Sequence, residues 1–141
     1  MNLYLNCIQQ KKEVCMNHYE IKFYKCKHCG NIVAMFWNSG IVPHCCGEQM
    51  NVLEANTSDG AVEKHVPVVS IDGNECTVKV GSVNHPMSEE HWIEWILIKT
   101  EKGIQRKILT PGDAPMAKFA LIDDRVLETY AYCNLHGLWK A

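Results

Sequence analysis

The chain has 141 residues, enough for one or two small domains. Its 14 basic and 16 acidic residues leave a formal charge of −2, without the basic excess that a nucleic-acid or anionic-membrane partner selects. An apolar share of 47% is ordinary for a globular protein, and the best apolar run, WIEWILI, is too short to span a bilayer and carries Glu94.

Residues 1–18 show no period and few turn signals, and are expected to be an extension of little structural consequence. The opening MNLYLNCIQQKK has no basic segment, apolar core and small-residue cleavage site in series, so a cytoplasmic chain is expected. In a reducing compartment thiols stay free, so the clustered ones among the eight cysteines are expected to hold metal rather than form disulfides, and seven histidines add imidazole to the donor pool.

From Tyr19 the run YEIKFYKC alternates as a strand does, and NIVAMFW forms a second β-rich run bracketed by cysteine pairs. These elements make a small metal domain over 19–55. The polar cluster NTSDG at 56–60 predicts a linker. Beyond it HVPVVSI, ECTVKVGS, HWIEWILIKT, IQRKILT, AKFALI and VLETYAYC are short β-rich runs, separated by IDGNE, TEKG and TPGDAP. Strands at this spacing, with no long helix, predict an all-β sandwich or barrel over 61–141. MSEEHWIEWI reads two ways, since a helical turn running into a strand would also suit its apolar faces.

In the first domain Cys26 and Cys29 are two residues apart and Cys45 and Cys46 adjacent, each pair followed by glycine. A C-x-x-C turn aims two sulfurs at one ion, and a second pair closes a tetrahedral S₄ shell. So compact a segment builds little core, and a metal would contribute the missing folding energy. Neighbouring side chains on extended backbone point apart, so Cys45 and Cys46 can share an ion only with distorted geometry. Spacing alone leaves a structural zinc knuckle and a redox-active iron centre both open.

In the second domain the candidate ligands are His65 in EKHVP, His85 and His91 in NHPMSEEHW, and Cys133 and His136 in CNLHG. His85 and His91 are six residues apart with Pro86 between, which suits a loop rather than one face of a helix. A lone histidine is most often a packed or solvated residue. Here every histidine of the domain falls at a strand end or turn, where a sandwich gathers its functional groups.

EKHVP, then HPM…EH…W, then YCNLHGLW resembles the iron centre of the superoxide reductases, and FYKCKHCGNIV…CCGE resembles the desulforedoxin-type domain of the two-iron desulfoferrodoxins. The resemblance covers about Tyr19 to Ala141. It implies a rubredoxin- or desulforedoxin-like metal domain followed by an immunoglobulin-like β-sandwich. It further implies a non-haem iron with His65, His85, His91 and His136 as equatorial ligands and Cys133 as axial thiolate. Lys64 would be the cation flanking an open position, and Glu63 the carboxylate that fills it after oxidation. Cys26, Cys29, Cys45 and Cys46 would hold a second iron, with zinc as a possible substitute. The implied activity is one-electron reduction of superoxide to hydrogen peroxide, with a rubredoxin-like electron donor and a homodimeric assembly.

Two other readings stand beside it, a non-catalytic electron carrier in which only the sulfur site cycles and a zinc-stabilised binding module. Cys7, Cys15 and Cys76 are left without a metal role, as are His18, His28 and His44. Trp92, Trp95 and Trp139 are read as core and pocket walls.

Overall fold

The structure, a computed structural model, describes residues 19–141. The expected extension, with Cys7, Cys15 and His18, lies outside the described residues. The chain divides into two compact units, one ending at Leu53 and one running from Glu54 to Ala141.

In the first unit β1 (Phe23–Lys25) is the middle strand between β2 (Ile32–Ala34) and β5 (Asn51–Leu53), antiparallel to both. A separate hairpin joins β3 (His44–Cys45) to β4 (Glu48–Gln49). Tyr24, Cys26 and Met50 are its buried cluster, with Met35, Val42 and Cys45 packed against them. So few apolar groups cannot offset the entropy of ordering the unit, which is the physical case for a metal there. The run NIVAMFW delivers only three strand residues. Past Ala34 the chain leaves the sheet, and Phe36 stands 88% exposed.

The second unit opens with one helical turn, α1 (Val62–His65). There follow β6 (Pro67–Asp72), β7 (Glu75–Val80), β8 (Ile93–Thr100), β9 (Ile104–Ile108), β10 (Met116–Ala120), β11 (Val126–Cys133) and β12 (Gly137–Lys140). They form two antiparallel sheets, β10-β7-β6 and β12-β11-β8-β9, the immunoglobulin-like sandwich that the resemblance implied. The inward residues of β7 alternate as Cys76, Val78 and Val80, all fully buried. They meet Ile93, Ile96 and Ile98 of β8, Phe119 of β10, and Ala131 and Cys133 of β11. Cys76 is thus a core residue, as expected.

Two local readings are corrected. No helical turn forms in MSEEHW, which stays irregular until β8 begins at Ile93. The one helical turn instead holds His65, expected on the strand HVPVVSI; Pro67 then starts the strand. The polar run 56–60 packs on the second unit, where Asn56 exchanges hydrogen bonds with Lys140 and its backbone N–H donates to the Leu138 carbonyl at 3.0 Å.

One charged group is built into the sheet that carries Cys133. Glu128 on β11 accepts from Lys140 Nζ at 2.9 Å and from the Tyr130 hydroxyl at 2.7 Å, with Lys99 Nζ at 3.5 Å. Burial pushes its carboxyl up, but the Tyr130 hydroxyl and the two lysines outweigh this and hold it below its ordinary value. Glu128→Gln is expected to cost about 1–3 kcal/mol at neutral pH in chemical denaturation. A depressed folded-state pKa contributes stability that is present above the unfolded value and lost as pH falls through the folded one. The gap between wild type and variant should therefore close on acidification. A gap that persists in acid would remove the carboxylate's charge as its cause.

Candidate metal centres

The first centre is assembled by two turns. Cys26 ends the strand region of β1, its N–H donating to the Asn31 carbonyl at 2.9 Å while Gly30 N–H donates to the Cys26 carbonyl at 3.0 Å. That knuckle carries Cys29. Cys45 and Cys46 come from the β3–β4 hairpin, whose two-residue loop, Cys46–Gly47, has φ of 52° and 79°. Positive φ at both loop residues matches the twist of a tight hairpin. It also resolves the difficulty of adjacent cysteines: left-handed backbone at Cys46 swings its sulfur toward that of Cys45. The four sulfurs lie within 4.8 Å of one another, Cys29 to Cys45 at 3.6 Å.

Their ionisation is unequal. Backbone N–H groups of Cys29 and His28 hold the Cys26 thiol down at about 6, against burial. The neighbouring Cys29 and Cys26 push Cys45 up, and the same neighbours with Cys45 push Cys46 up to about 12. One thiolate is tolerated and further charge is resisted, as expected where four sulfurs wait for one cation. His28 lies 3.3 Å from Glu48 at the surface and His44 is exposed on β3, so neither joins the sulfurs.

The second centre draws on four segments of the sandwich end. His65 closes α1 and is 2% exposed; His85 and His91 sit on the loop between β7 and β8; Cys133 ends β11 and His136 precedes β12. A register shift between Tyr132 and Cys133 breaks the β11–β8 ladder and redirects the end of β11.

The four rings make a square. Adjacent centroids are 4.6 Å (His65–His85), 4.6 Å (His85–His91), 5.0 Å (His91–His136) and 4.7 Å (His136–His65), each pair close to perpendicular. The diagonal His65–His91 is 6.2 Å. Donor atoms of His65, His91, Cys133 and His136 lie within 4.8 Å of one another, and His85 joins them through its Nε2, 3.1 Å from His65 Nε2.

Carbonyl anchors set the tautomers. A carbonyl only accepts, so His65 Nδ1–H donates to Ala61 O at 2.7 Å and His85 Nδ1–H donates to Pro86 O at 2.6 Å. Both Nε2 atoms then present lone pairs to each other. His136 turns Nδ1 inward, 3.0 Å from His65 Nε2 and 3.7 Å from Cys133 Sγ. Among the described residues, His91 Nε2 is the buried side-chain polar atom with no hydrogen-bond partner. Facing lone pairs, an orphaned nitrogen and a thiol are a donor set that fits iron or zinc.

The electrostatics agree. Burial lowers His65, His85 (to about 4) and His91, the last depressed further by the charges of His136 and Lys64. These three imidazoles are neutral at pH 7, as ligands must be. Burial pushes the Cys133 thiol up, against the His136 and Leu135 backbone N–H groups.

Glu63 and Lys64 are exposed on α1, next to the square, and the Lys64 charge acts on both His65 and His91. Asn134 went unread in the sequence. Its Oδ1 accepts from Trp92 N–H at 3.0 Å and its Nδ2 donates to Glu90 O at 2.9 Å, tying the loop that bears His91 to the turn between Cys133 and His136. An asparagine lodged between two ligand candidates was the available signal. Trp139, read as a wall, stacks on His65 at 4.7 Å.

Among known proteins, the desulfoferrodoxin family model matches residues 57–141. A desulfoferrodoxin of Nitratidesulfovibrio vulgaris is 53% identical over 125 residues, covering 89% of this chain and 97% of its own. A superoxide reductase of Pyrococcus horikoshii is 34% identical, over 60% of this chain and 89% of its own. The crystal structure of the superoxide reductase from Treponema pallidum aligns with a TM-score of 0.74 at 45% identity, covering 86% of this chain and 98% of that one.

Metal binding must displace the protons that the raised thiols keep. Adding zinc(II) to the reduced, metal-free chain at pH 7 is expected to release protons, among them roughly one each from Cys45, Cys46 and Cys133, read with an indicator dye. Cys46→Ser should lower the total by roughly one. An unchanged release would take Cys46 out of the sulfur site.

Proposed function

The chain belongs to the desulfoferrodoxin family, and on that footing we propose that one non-haem iron is held by His65, His85, His91, His136 and Cys133 and a second by Cys26, Cys29, Cys45 and Cys46. The protein is a superoxide reductase. One electron and two protons convert superoxide to hydrogen peroxide. The observation that carries this reading is the square of imidazoles with a buried thiol beside it.

Iron bound there supplies the single electron. The chain does the rest. Neutral rings on carbonyl anchors keep their lone pairs inward, and the thiolate of Cys133 adds a strong donor whose charge leaves the ferrous site with a net +1 (2 − 1). That residual positive charge and Lys64 draw an anion toward α1. Glu63, beside Lys64 on the exposed turn, is the carboxylate that would serve as a further ligand to the oxidised iron. Its exposure, with that of Lys64, leaves this edge of the site wet, so protons for peroxide come from solvent.

No dioxygen is produced, so an outside donor must restore the electron, and a rubredoxin-like carrier suits that task. A homodimer is supported by apolar side chains left exposed on each unit, Phe36 and Ile41 on the first, Val68 and Ile71 of the edge strand β6 on the second. No helix among the described residues is long and apolar enough to cross a membrane. We place the protein in the cytoplasm.

Superoxide added to the reduced protein should yield peroxide without dioxygen. Cys133→Ala and His136→Ala should abolish that reaction, and either variant retaining full activity would overturn the assignment. Lys64→Ala should slow the bimolecular step about tenfold at low salt and flatten its ionic-strength dependence. An unaltered salt slope would take Lys64 out of substrate attraction.

A further inference from the structure

Residues 56–60 have the composition of a linker, yet besides a local bond from Thr57 Oγ1 to the Glu54 carbonyl their contacts lead to β12 and His136. Asn56 is bound to β12 through three hydrogen bonds: its N–H to Leu138 O at 3.0 Å, its Nδ2 to Lys140 O at 3.1 Å, and its Oδ1 accepting from Lys140 N–H at 2.8 Å. Ser58 Oγ donates to the carbonyl of His136 at 2.6 Å. Trp139 Nε1 donates to that same carbonyl at 3.2 Å, so both acceptor positions of the His136 peptide oxygen are engaged.

Gly60 makes the closest approach. A Cβ built on it would lie 2.9 Å from Trp139 Cζ2 and 3.0 Å from both Cβ and Cγ of His136. Its backbone has no positive φ, so conformational freedom is not why glycine stands there; space is. The indole it touches is fully buried and stacked on His65, and the imidazole it touches turns Nδ1 toward His65 and Cys133. One methyl at position 60 would press on His136 directly and on His65 through Trp139. Trp139, fully buried, has no free volume to retreat into, because the interior is close-packed.

We infer that Asn56–Gly60 is a strap that positions His136, and through Trp139 also His65, with Gly60 the positioning residue that lets the chain lie flat against the back of the square. The inference rests on the reading of these histidines as metal ligands, and it adds that a segment outside the ligand motifs sets their orientation. A ligand ring held from behind by packing and by its own peptide oxygen cannot tilt without moving the strap.

The test uses the full reduced chain with cobalt(II) alone as the probe, since its visible bands separate an all-sulfur site from one of nitrogen and sulfur. Gly60→Ala should weaken cobalt binding at the nitrogen–sulfur site about tenfold or more, the size of effect typical when a ligand's support is lost, and should shift its bands. The all-sulfur bands of the same molecule should not change. Ser58→Ala removes one hydrogen bond and adds no atom. It should move affinity in the same direction by less, with the metal-free unfolding midpoint held. The strap is overturned if Gly60→Ala binds cobalt with wild-type affinity and bands. Should Gly60→Ala prevent the second unit from folding, Ser58→Ala decides, and wild-type binding there overturns the strap. Wild-type protein that loads both sites yet leaves superoxide untouched would instead defeat the functional reading and leave the strap standing.

Discussion

Nitrogen lone pairs about 3 Å apart repel unless something positive lies between them, and the second unit holds two in that relation, on His65 and His85, with His136 Nδ1 3.0 Å from the first. Burial adds to the difficulty, because it keeps the His65 and His85 rings neutral and leaves them 2% exposed to the water that would otherwise satisfy them. The fold answers with anchors outside the cluster: Ala61 and Pro86 carbonyls behind two rings, and Ser58 and Trp139 on the peptide oxygen of His136. The two ring anchors turn the Nε2 lone pairs of His65 and His85 toward each other. A cation satisfies the whole set at once, so binding energy and local folding energy are the same quantity here.

The sandwich supplies what such a set requires, which is a rigid end on which four segments can meet. β8 runs through the core almost wholly buried, β11 is buried from Thr129 to Cys133, and β7 turns Cys76, Val78 and Val80 inward. The shift at Cys133 puts a break in the ladder where a sulfur must leave the sheet plane. Asn134 then bonds across to Glu90 and Trp92, so the two loops that contribute most of the donors move as one body. Precision at the site comes from strand packing, through very few polar links.

The two centres differ in how far they could be read in the sequence, and distance along the chain is the reason. The sulfur site is local: two turns carry it, and C-x-x-C and C-C spacings display them directly. Even so, the left-handed backbone at Cys46 that makes adjacent cysteines useful could not be seen in residue types alone. The histidine site pairs His65 with His136 across 71 residues, and no periodicity links them; its donors were legible only through a resemblance of ordered motifs. The long strands announced themselves by alternation and β-branched content. Short elements did not: β3, β4 and β12 are two to four residues, too few to show a period. His65 joined a helical turn because the carbonyl of Ala61 could accept from its ring, a tertiary preference that the strand-like HVPVVSI conceals. The run NTSDG misleads for a related reason. Small polar residues are good at leaving a chain flexible, and equally good at lying against a neighbour and bonding to it.

Access to the square follows from which side of α1 is fastened. Its inner side is pinned: Val83 N–H donates to the Glu63 carbonyl at 3.0 Å and Gly81 N–H donates to the Val66 carbonyl at 3.1 Å. Gly81, at φ +82°, passes so near that a Cβ there would fall within 2.8 Å of the carbonyl oxygens of Val83, Lys64 and Glu63. The backbone of the turn is therefore clamped from below, while the side chains of Glu63 and Lys64 extend into solvent. A clamp of this kind separates two demands that would otherwise conflict. His65 must not move, since its ring stands at one corner of the square; its neighbours must move, since an anion has to arrive and its product leave. Fastening the peptide groups and leaving the side chains exposed meets both, and it places Lys64 beside the corner where its charge acts on His65 and His91.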